Sequence, residues 1–527
     1  MRNAVLSIAL ASLVFLYYLT LGMTFQNNGY LHPEGIFLIE KALLALKGNP
    51  PRLENIGLIY PPLPFFFTFP FIISVNPIIA PVFASAFGMA VLCAVLMYRV
   101  LKRNLSFVFV FYLLMILTIN PLVLYSATSG GSSYLYVLFI TIFFAFIFEY
   151  YERNVSFYLA VAGISLGILA LIRYEIVFIL VFWTLANFIL AVETTLEPGV
   201  SYKNFYRLLR ELPAYRQTFF RKVMAVYLMI FIPPIVSAVS WMYLNWIFTS
   251  NPFHFLSSPY SYFRTLRTFV LYNPILLEVR DNFFKSLIYI LMEVFISAPT
   301  FLIIFLLFGH RLFFILALTS PVISLFISSF LGISLLNVDF FVPFVFLSFL
   351  VLVYACEQKK TLRKAIILPL FGIVLMISSF TGYYKLKNSN YPEEKIFARV
   401  LLGGNADGIF EDEKKVAEFL KMYADSNDVI LFDDADGYPI VVFYGYPKNI
   451  VLPYQYEFSS VVERPEVYAD FIVVYNPDTY EGGRDALNLR HKDLFYRGAD
   501  GLDFVASFGN LRIFRSSYRA KSKIAGR

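Results

Sequence analysis

Residues 29–64, GYLHPEGIFLIEKALLALKGNPPRLENIGLIYPPLP, place seven charged or imidazole side chains between segments that are nearly free of charge. Glu34, Phe37 and Lys41 recur at helical spacing, so the stretch predicts a short amphipathic helix with Glu34 in its first turn. The helix dipole favours a carboxylate at this position. Residues 61–70 are too few and too rich in proline to cross a bilayer, so we expect them to lie in its interface. We interpret the whole stretch as the floor of a functional site, and an ordinary polar loop between two spans is the alternative.

The composition places the chain among membrane proteins. Apolar residues make up 59% of the sequence, charged residues only 15%, and the mean hydropathy is +0.67. A soluble domain carries about 25% charged residues. Because the net charge of +7 is concentrated in particular loops, it indicates membrane topology, and no nucleic-acid partner is expected. Cys93 and Cys356 lie in or beside apolar segments, so the sequence contains neither a disulfide framework nor zinc-ligand spacing.

Eleven apolar segments are long enough to be membrane-spanning helices. The first is longer than a signal-peptide core and no small-residue cleavage site follows it, so we predict an uncleaved helix. The eleven segments are Asn3–Phe25, Pro77–Tyr98, Leu105–Leu124, Ser133–Phe148, Ser156–Ile172, Ile176–Val192, Val223–Phe248, Ser286–Phe308, Leu312–Leu331, Val338–Tyr354 and Ala365–Tyr384. The predicted fold class is a polytopic α-helical membrane protein, with a bundle of about 11 transmembrane helices in residues 1–384 and a soluble domain in residues 385–527.

The basic residues of the connecting segments predict the orientation. With the N-terminus inside, the inner segments hold sixteen Lys and Arg residues and the outer ones eight. Because positive charge is retained on the cytoplasmic side, this bias favours a multi-pass protein of the cell membrane with a cytoplasmic N-terminus and an extracytoplasmic C-terminal domain. Two outer loops, residues 26–76 and 249–282, are then long enough to build a site. If residues 61–74 crossed the membrane, every later loop would be inverted.

Residues 385–527 are charged, contain no apolar span and alternate between helix and strand patterns. This alternation predicts a small α/β domain outside the membrane. Asp434 and Asp436 resemble the acidic pair that holds a metal–nucleotide complex in some soluble transferases, but carboxylates are also common in strand-to-loop turns. The predicted elements are a helix at Glu411–Ala424, strands at Asp428–Asp434, Asn449–Pro453 and Asp470–Asn476, and a hairpin of Asp503–Phe508 with Leu511–Phe514.

The second long outer loop is rich in aromatic residues and carries three candidate binding residues. Arg264 and Arg267 share one helical face, and His254 precedes them. Because Arg recognises phosphate well, this face is a candidate clamp for a phosphate or a lipid headgroup. An interfacial helix anchored by Arg and Tyr explains the same pattern equally well.

Charges also occur where two spans meet on the outer side. Arg173 and Glu175 lie between the fifth and sixth predicted spans, and charges at that depth usually pair or line a functional cavity. Asp339, near the outer end of a later span, is a weaker candidate for the same cavity. The alternative is a tight turn whose charges simply reach the headgroups.

Four motifs carry a family resemblance. They are HPEGIFLIEKALLALKG at residues 32–48, YPPLPFFF at 60–67, LIRYE at 171–175 and NPFHFLSSPYS at 251–261. With a soluble domain after the last span, the chain resembles the membrane glycosyltransferases of the GT-C fold. It is most similar to the bacterial and archaeal enzymes grouped with the protein O-mannosyltransferase and aminoarabinose-transferase types. The architectural resemblance covers the whole chain, whereas the motifs cover about a seventh of it and are loose.

The resemblance implies a polyprenyl-phosphate-linked sugar donor, transfer outside the cytoplasmic membrane, and a lipid, glycan or protein acceptor. The family carries an acidic residue at the start of its first loop helix, so Glu34 takes the catalytic role here. A second acidic residue often precedes the Pro-Pro pair, and Glu54 is the nearest candidate, six residues ahead of Tyr60. His32 leads the chain into the helix, and we include it among the substrate-binding residues.

The chain also departs from the family pattern. Many relatives have an Arg-Tyr pair shortly before a proline in a late span, whereas here the pair begins with Asp339. The phosphate-binding role therefore passes to Arg173, Arg264 or Arg267, and a divalent metal, Mg²⁺ or Mn²⁺, is a further source of positive charge.

The residue types suit this chemistry, because a carboxylate can take the proton of an acceptor hydroxyl while positive charge stabilises the departing phosphate. Two other classes remain open. A transporter or lipid flippase would place charges near the middle of the membrane and break its helices in a repeated pattern, and the sequence has no internal repeat. A structural assembly protein that binds partners through the outer domain is the third possibility.

We predict that a cysteine introduced at Ser426 reacts with an impermeant maleimide applied from outside the cell, because the basic-residue bias places residues 385–527 there. The matched control is Lys360→Cys in a predicted inner loop, which should react only after the membrane is permeabilised. Labelling of the Ser426 variant from the cytoplasmic side alone would invert the topology.

Overall fold

A bundle of apolar helices forms most of the protein. The computed structural model describes residues 2–196, 202–301, 311–358 and 361–519. Within these residues, eight helices are long and apolar enough to cross a membrane. They lie at Arg2–Asn27, Ala80–Lys102, Ser133–Arg153, Ile176–Thr195, Pro213–Thr249, Leu312–Phe330, Val338–Cys356 and Ile366–Lys387. The chain is therefore a polytopic helical membrane protein.

The predicted span Leu105–Leu124 is broken. It forms two helices, Phe107–Ile119 and Pro121–Thr128, whose axes differ by 64°. Pro121 cannot donate a backbone hydrogen bond, and the Asn120 side chain accepts instead from the backbone N–H of Leu122 at 3.0 Å, which starts a new helix. Counted as one span, the pair raises the number of candidate spans in the described residues to nine.

Two further predicted spans account for the remaining difference from eleven. The segment predicted at Ser156–Ile172 is a 15-residue helix, Ser156–Ala170, which is shorter than a typical span. The segment predicted at Ser286–Phe308 begins as the helix Phe283–Ser297, and residues 302–310 lie outside the described part of the chain. The run predicted to lie in the interface forms the 13-residue helix Pro62–Ser74.

The remaining helices connect the bundle or belong to the C-terminal region. The helix Pro33–Lys47, called the loop helix below, confirms the amphipathic helix expected after the first span. Helical turns of the 3₁₀ type occur at Leu53–Ile56, Val338–Phe340 and Pro447–Asn449. The helix Val342–Gln358 forms most of the seventh candidate span, and the helix Thr361–Lys387 contains the eighth. The other helices are Tyr202–Glu211, His254–Ser257, Tyr262–Tyr272, Pro274–Val279, Pro392–Leu401, Glu411–Tyr423, Asp434–Tyr444, Phe458–Glu463, Pro465–Tyr468, Ala486–Arg490 and Leu494–Arg497.

Two glycines allow a close contact between two helices of the bundle. A Cβ atom at Gly163 would lie 1.9 Å from the carbonyl oxygen of Met229, and one at Gly167 would lie 2.9 Å from the backbone of Pro233. The two glycines are four residues apart on one face of the helix Ser156–Ala170, so they let the helix Pro213–Thr249 approach closely. The short helix Ser156–Ala170 therefore packs directly against the helix Pro213–Thr249.

A five-stranded mixed sheet lies in the C-terminal region, in the order β2-β1-β3-β5-β4. Strand β1 pairs in parallel with β2 and β3, whereas β5 pairs antiparallel with β3 and β4, which confirms the predicted hairpin. The parallel strands are shorter than predicted, because helix begins at Asp434 directly after β1. The strands are β1 (Ile430–Leu431), β2 (Ile450–Val451), β3 (Phe471–Tyr475), β4 (Leu502–Phe508) and β5 (Leu511–Ser516).

Alternate residues of β3 face two separate hydrophobic cores. Phe471 and Val473 pack with the helices Glu411–Tyr423 and Asp434–Tyr444, and Ile472 packs on the opposite face with the helices that follow β2. The first of these cores also contains Leu44 of the loop helix. The loop helix and the C-terminal sheet region therefore share one hydrophobic core, and we call this part of the molecule the sheet end of the bundle.

Candidate functional site

The loop helix presents Glu34 to a glycine-rich turn between two bundle helices. The backbone N–H of Ser132 donates to Glu34 Oε2 at 2.9 Å, and the Ser132 hydroxyl donates to Glu34 Oε1. The turn can approach the start of the loop helix because it contains two glycines. Gly130 has a φ of +84°, and a Cβ atom at Gly131 would lie 2.8 Å from the His32 ring. Both carboxylate oxygens of Glu34 are thus held by one residue.

Four side chains surround Glu34 at the sheet end, and with it they form what we call the charge cluster. Arg173 Nη2 lies 3.6 Å from Asp339 Oδ2, and its guanidinium stacks over Phe340 at 4.1 Å from the ring centroid. The charge cluster consists of Glu34, Arg173, Glu175, Tyr262 and Asp339. The structure thus brings together four predicted site residues. They are Glu34 from the first loop, Arg173 and Glu175 from the turn after the fifth predicted span, and Asp339 from a late span.

Glu175 joins the charge cluster through Tyr262 and Arg173. The Tyr262 hydroxyl donates to Glu175 Oε1 at 2.8 Å, and the Glu34 charge acts on both Arg173 and Tyr262. Burial raises the pKa of Glu175, although Arg173 opposes this shift. Its second carboxylate oxygen is buried and has no hydrogen-bond partner in the part of the chain that the structure describes, so the cluster keeps one acceptor for a ligand.

His32 is the N-cap residue of the loop helix and contacts Tyr125. Its Nε2 lies 2.9 Å from the Tyr125 hydroxyl, and the Tyr125 ring packs edge-on against Phe397 at 5.0 Å. Its Nδ1 is buried and lacks a hydrogen-bond partner within the described ranges. His32 therefore fixes the start of the loop helix, as expected from its place in the sequence, and retains one free nitrogen.

A cavity of about 760 Å³ lies next to the charge cluster, and we call it the outer cavity. The loop helix, residues 248–265 and the C-terminal sheet region each supply part of its wall. Four predicted site residues line it: Glu54, Tyr60, His254 and Arg264. Its volume is within the range of about 300–1,000 Å³ that is usual for small-molecule sites.

Tyr60 lies between the outer cavity and the charge cluster and contacts both. Its ring packs edge-on against Phe37 at 4.7 Å and against Tyr262 at 6.3 Å. Burial raises the pKa of Tyr60 even though Arg484 and Lys41 oppose the shift. Because Tyr262 also contacts Glu175, the Tyr60 and Tyr262 rings form an aromatic layer between the outer cavity and the charge cluster.

Buried ion pairs join the loop helix to the C-terminal region at the outer cavity. Lys41 Nζ lies 2.7 Å from Asp434 Oδ2 and 3.1 Å from Glu40 Oε2. Burial lowers the pKa of Lys41, but the charges of Asp434 and Glu40 outweigh it and raise the pKa overall. Burial raises the pKa of Glu40, and Lys41 opposes that shift. Glu40 is thus committed to this pair and faces away from Glu34, as the helical spacing predicted.

The carboxylates after β1 do not fit a metal ion. Arg484 Nε donates to Asp436 Oδ2 at 2.7 Å, so Asp434 and Asp436 are each neutralised by a cation. Across the described residues, no group of three or more His, Cys, Asp or Glu side chains is arranged as a metal site. Burial raises the pKa of Asp433 to about 6, with the Asp434 charge adding to the shift, and burial raises the pKa of Asp485 to about 8, with the Asp433 charge adding to it. The expectation of Mg²⁺ or Mn²⁺ binding stays a prediction.

The two arginines of the second outer loop are placed differently. Arg264 lines the outer cavity, whereas Arg267 is exposed and belongs to neither the cavity wall nor the charge cluster in the described part of the chain. The helix Tyr262–Tyr272 packs through the buried Leu266 and through Phe269, which stacks on Tyr391 at 5.8 Å. Both the clamp and the anchored-helix interpretations of this loop stay predictions.

Sequence reasoning missed several residues of the site. Ser132 follows a Gly-Gly pair that signals a tight turn, and this was the available clue to it. Tyr262, Tyr454 and Arg484 carry no local signal, since their roles depend on tertiary contacts between distant segments.

The class defined by the fold and the site is a polytopic helical membrane protein with a charged site at the sheet end of its bundle. No family model matches the sequence, and no curated protein matches it significantly.

We predict a pH-dependent stability that originates beside the charge cluster. Glu394 accepts a hydrogen bond from the backbone N–H of Val338 at 2.8 Å, and burial raises its pKa from 4.5 to about 8. The folded state therefore holds this proton more tightly than the unfolded state, so stability should fall as the pH rises from about 4.5 to about 8. Glu394→Gln should flatten the fall of the thermal midpoint over this range, and the exposed Glu418→Gln should not. Equal slopes in wild type and Glu394→Gln would contradict the assignment.

Proposed function

We propose that the protein transfers a sugar from a polyprenyl-phosphate-linked donor to an acceptor at the sheet end of its bundle. The observation that carries the proposal is the Glu34 carboxylate, held by Ser132 at the end of an apolar bundle and within electrostatic reach of Arg173. A fixed base next to a buried guanidinium is what displacement of a phosphate by a hydroxyl requires. The motif resemblance to GT-C enzymes supports the same reaction class.

The reaction can be written with the residues of the charge cluster. Glu34 accepts the proton of the acceptor hydroxyl, whose oxygen forms a bond to the anomeric carbon of the donor sugar. The bond between that carbon and the phosphate oxygen breaks, and the electron pair leaves with the lipid phosphate. Arg173 stabilises the developing negative charge, because its guanidinium is buried and offers several donors. Asp339 holds the guanidinium in place.

The two substrates are assigned to different parts of the molecule, the lipid donor to the bundle and the acceptor to the outer cavity. The lipid tail of the donor suits the apolar bundle, whereas a polar acceptor suits the outer cavity, which opens beyond the Tyr60 layer. A flippase or transporter is the alternative, and the single break between Phe107–Ile119 and Pro121–Thr128 is the feature that favours it. Alternating access usually uses a pair of broken helices in corresponding halves. Lipid-linked sugar moved without chemical change would favour transport.

We predict that Glu34→Gln slows transfer at least about a hundredfold while donor binding is retained, because the amide preserves volume but cannot accept the proton. The measurement is turnover of purified protein with a radiolabelled polyprenyl-phosphate sugar, together with binding of the unlabelled donor. Glu418→Gln, an exposed carboxylate outside the site, is the matched control. Near-normal turnover of Glu34→Gln would remove Glu34 from the mechanism and make Glu54 the next candidate.

We predict a different pattern for the arginines. Arg173→Ala should lower turnover about a hundredfold, because it removes the buried cation beside the leaving phosphate. Arg173→Lys keeps the charge but loses the planar set of donors, so it should retain part of the activity. Arg267→Ala should behave as wild type, since Arg267 lies outside the site. Elution as a single folded species in detergent excludes unfolding, and wild-type kinetics for both Arg173 variants would place the phosphate elsewhere.

A further inference from the structure

We infer that the outer cavity binds a neutral carbohydrate, which is the acceptor of the reaction. The role as acceptor rests on the proposed transferase function, whereas the binding itself does not. The inference follows from the lining of the cavity, its charge balance and one buried hydroxyl without a partner.

Four tyrosines lie in the wall of the outer cavity. Tyr60, Tyr260, Tyr454 and Tyr456 come from the first loop, the second long loop and the segment after β2. A tyrosine combines an apolar ring face with a polar tip, which matches a sugar ring with its C–H face and its hydroxyl edge. The Tyr260 hydroxyl donates to Asp433 Oδ2 at 3.1 Å, so its ring is held in one position.

Three of the four Lys and Arg residues that line the outer cavity are paired with carboxylates, and Arg264 is the fourth. Lys41 contacts Asp434 at 2.7 Å, Arg52 contacts Glu54 at 3.0 Å, and Arg484 is bound to Asp436. A phosphate or a carboxylate ligand would compete with these carboxylates for each paired cation. A neutral ligand with many hydroxyls can instead donate to the carboxylates and accept from the cations without breaking a pair.

Tyr454 supplies the observation that points to a ligand. Tyr454 lines the outer cavity, and its hydroxyl is buried without a hydrogen-bond partner among the residues the structure describes. A buried polar group of this kind is unfavourable unless something else pairs with it. At the rim, Tyr456 is 79% exposed and its ring lies 5.4 Å from the Arg52 guanidinium, so an open stacking surface leads into the cavity.

The test is binding of fluorescent probes to the purified full-length chain in detergent. The probes are maltotriose and mannotriose as neutral sugars, mannose 6-phosphate as a charged sugar and a Ser/Thr-rich peptide. We expect the neutral trisaccharides to bind, and the phosphorylated sugar and the peptide to bind at least about tenfold more weakly. Failure of both neutral sugars to bind, or tighter binding of the phosphorylated sugar or the peptide, would overturn the inference.

Two matched variants locate the site. Tyr454→Phe removes only the unpaired hydroxyl, so it should weaken trisaccharide binding about fivefold and leave thermal stability unchanged or raised. Tyr456→Ala should weaken binding about three- to tenfold through loss of stacking. The controls are Tyr446→Phe and Tyr446→Ala, since Tyr446 is 67% exposed and does not line the cavity. Unchanged affinity in both cavity variants would place the sugar elsewhere.

A kinetic comparison separates this inference from the proposed function. The cavity variants should lose transfer to a sugar acceptor and keep slow hydrolysis of the lipid donor by water, which depends on Glu34 and Arg173. If the wild-type protein neither transfers the sugar of the lipid donor nor hydrolyses the donor, the proposed function fails while carbohydrate binding can stand. If hydrolysis falls with the cavity variants as much as transfer does, the outer cavity is part of the donor site and the inference is wrong.

Discussion

The buried ion pair between Lys41 and Asp434 is the contact on which the site depends. It joins the loop helix to the helix that follows β1, and Leu44 joins the same two elements through a hydrophobic core. The attraction of such a pair is largely offset by the cost of removing both charges from water. The main effect of the pair is therefore to hold the loop helix in one position. Moving the helix away would leave Lys41 or Asp434 buried without its partner, which would destabilise the folded state. The loop helix that carries Glu34 is thereby fixed to the C-terminal sheet.

Much of this arrangement could be predicted from the sequence where the signal is local. The spacing of Glu34, Phe37 and Lys41 predicted the loop helix, and turn residues at Gly509 and Asn510 predicted the hairpin of β4 and β5. The number of spans was less accessible. Hydropathy averages over a window, so it could not detect that Asn120 and Pro121 break one apolar segment into two helices.

The candidate site was predictable as a set of residues but not as a geometry. Arg173 and Asp339 are far apart in sequence, and only the packing of the bundle brings them into contact. The division of the predicted residues between the charge cluster and the outer cavity depends on the position of the Tyr60 ring, which no pattern in the chain specifies. Arg484 was missed for the same reason, because its partner Asp436 looked like part of an ordinary turn.

The distance along the chain between Lys41 and Asp434 has a consequence for biosynthesis. The two residues are 393 positions apart, so the loop helix leaves the ribosome long before its partner is made. During that interval the nascent chain carries Lys41 without its Asp434 partner and an uncovered apolar side chain at Leu44. Assembly of the site is consequently one of the last events in the maturation of this protein, and a chain released early would remain in the membrane with an incomplete site.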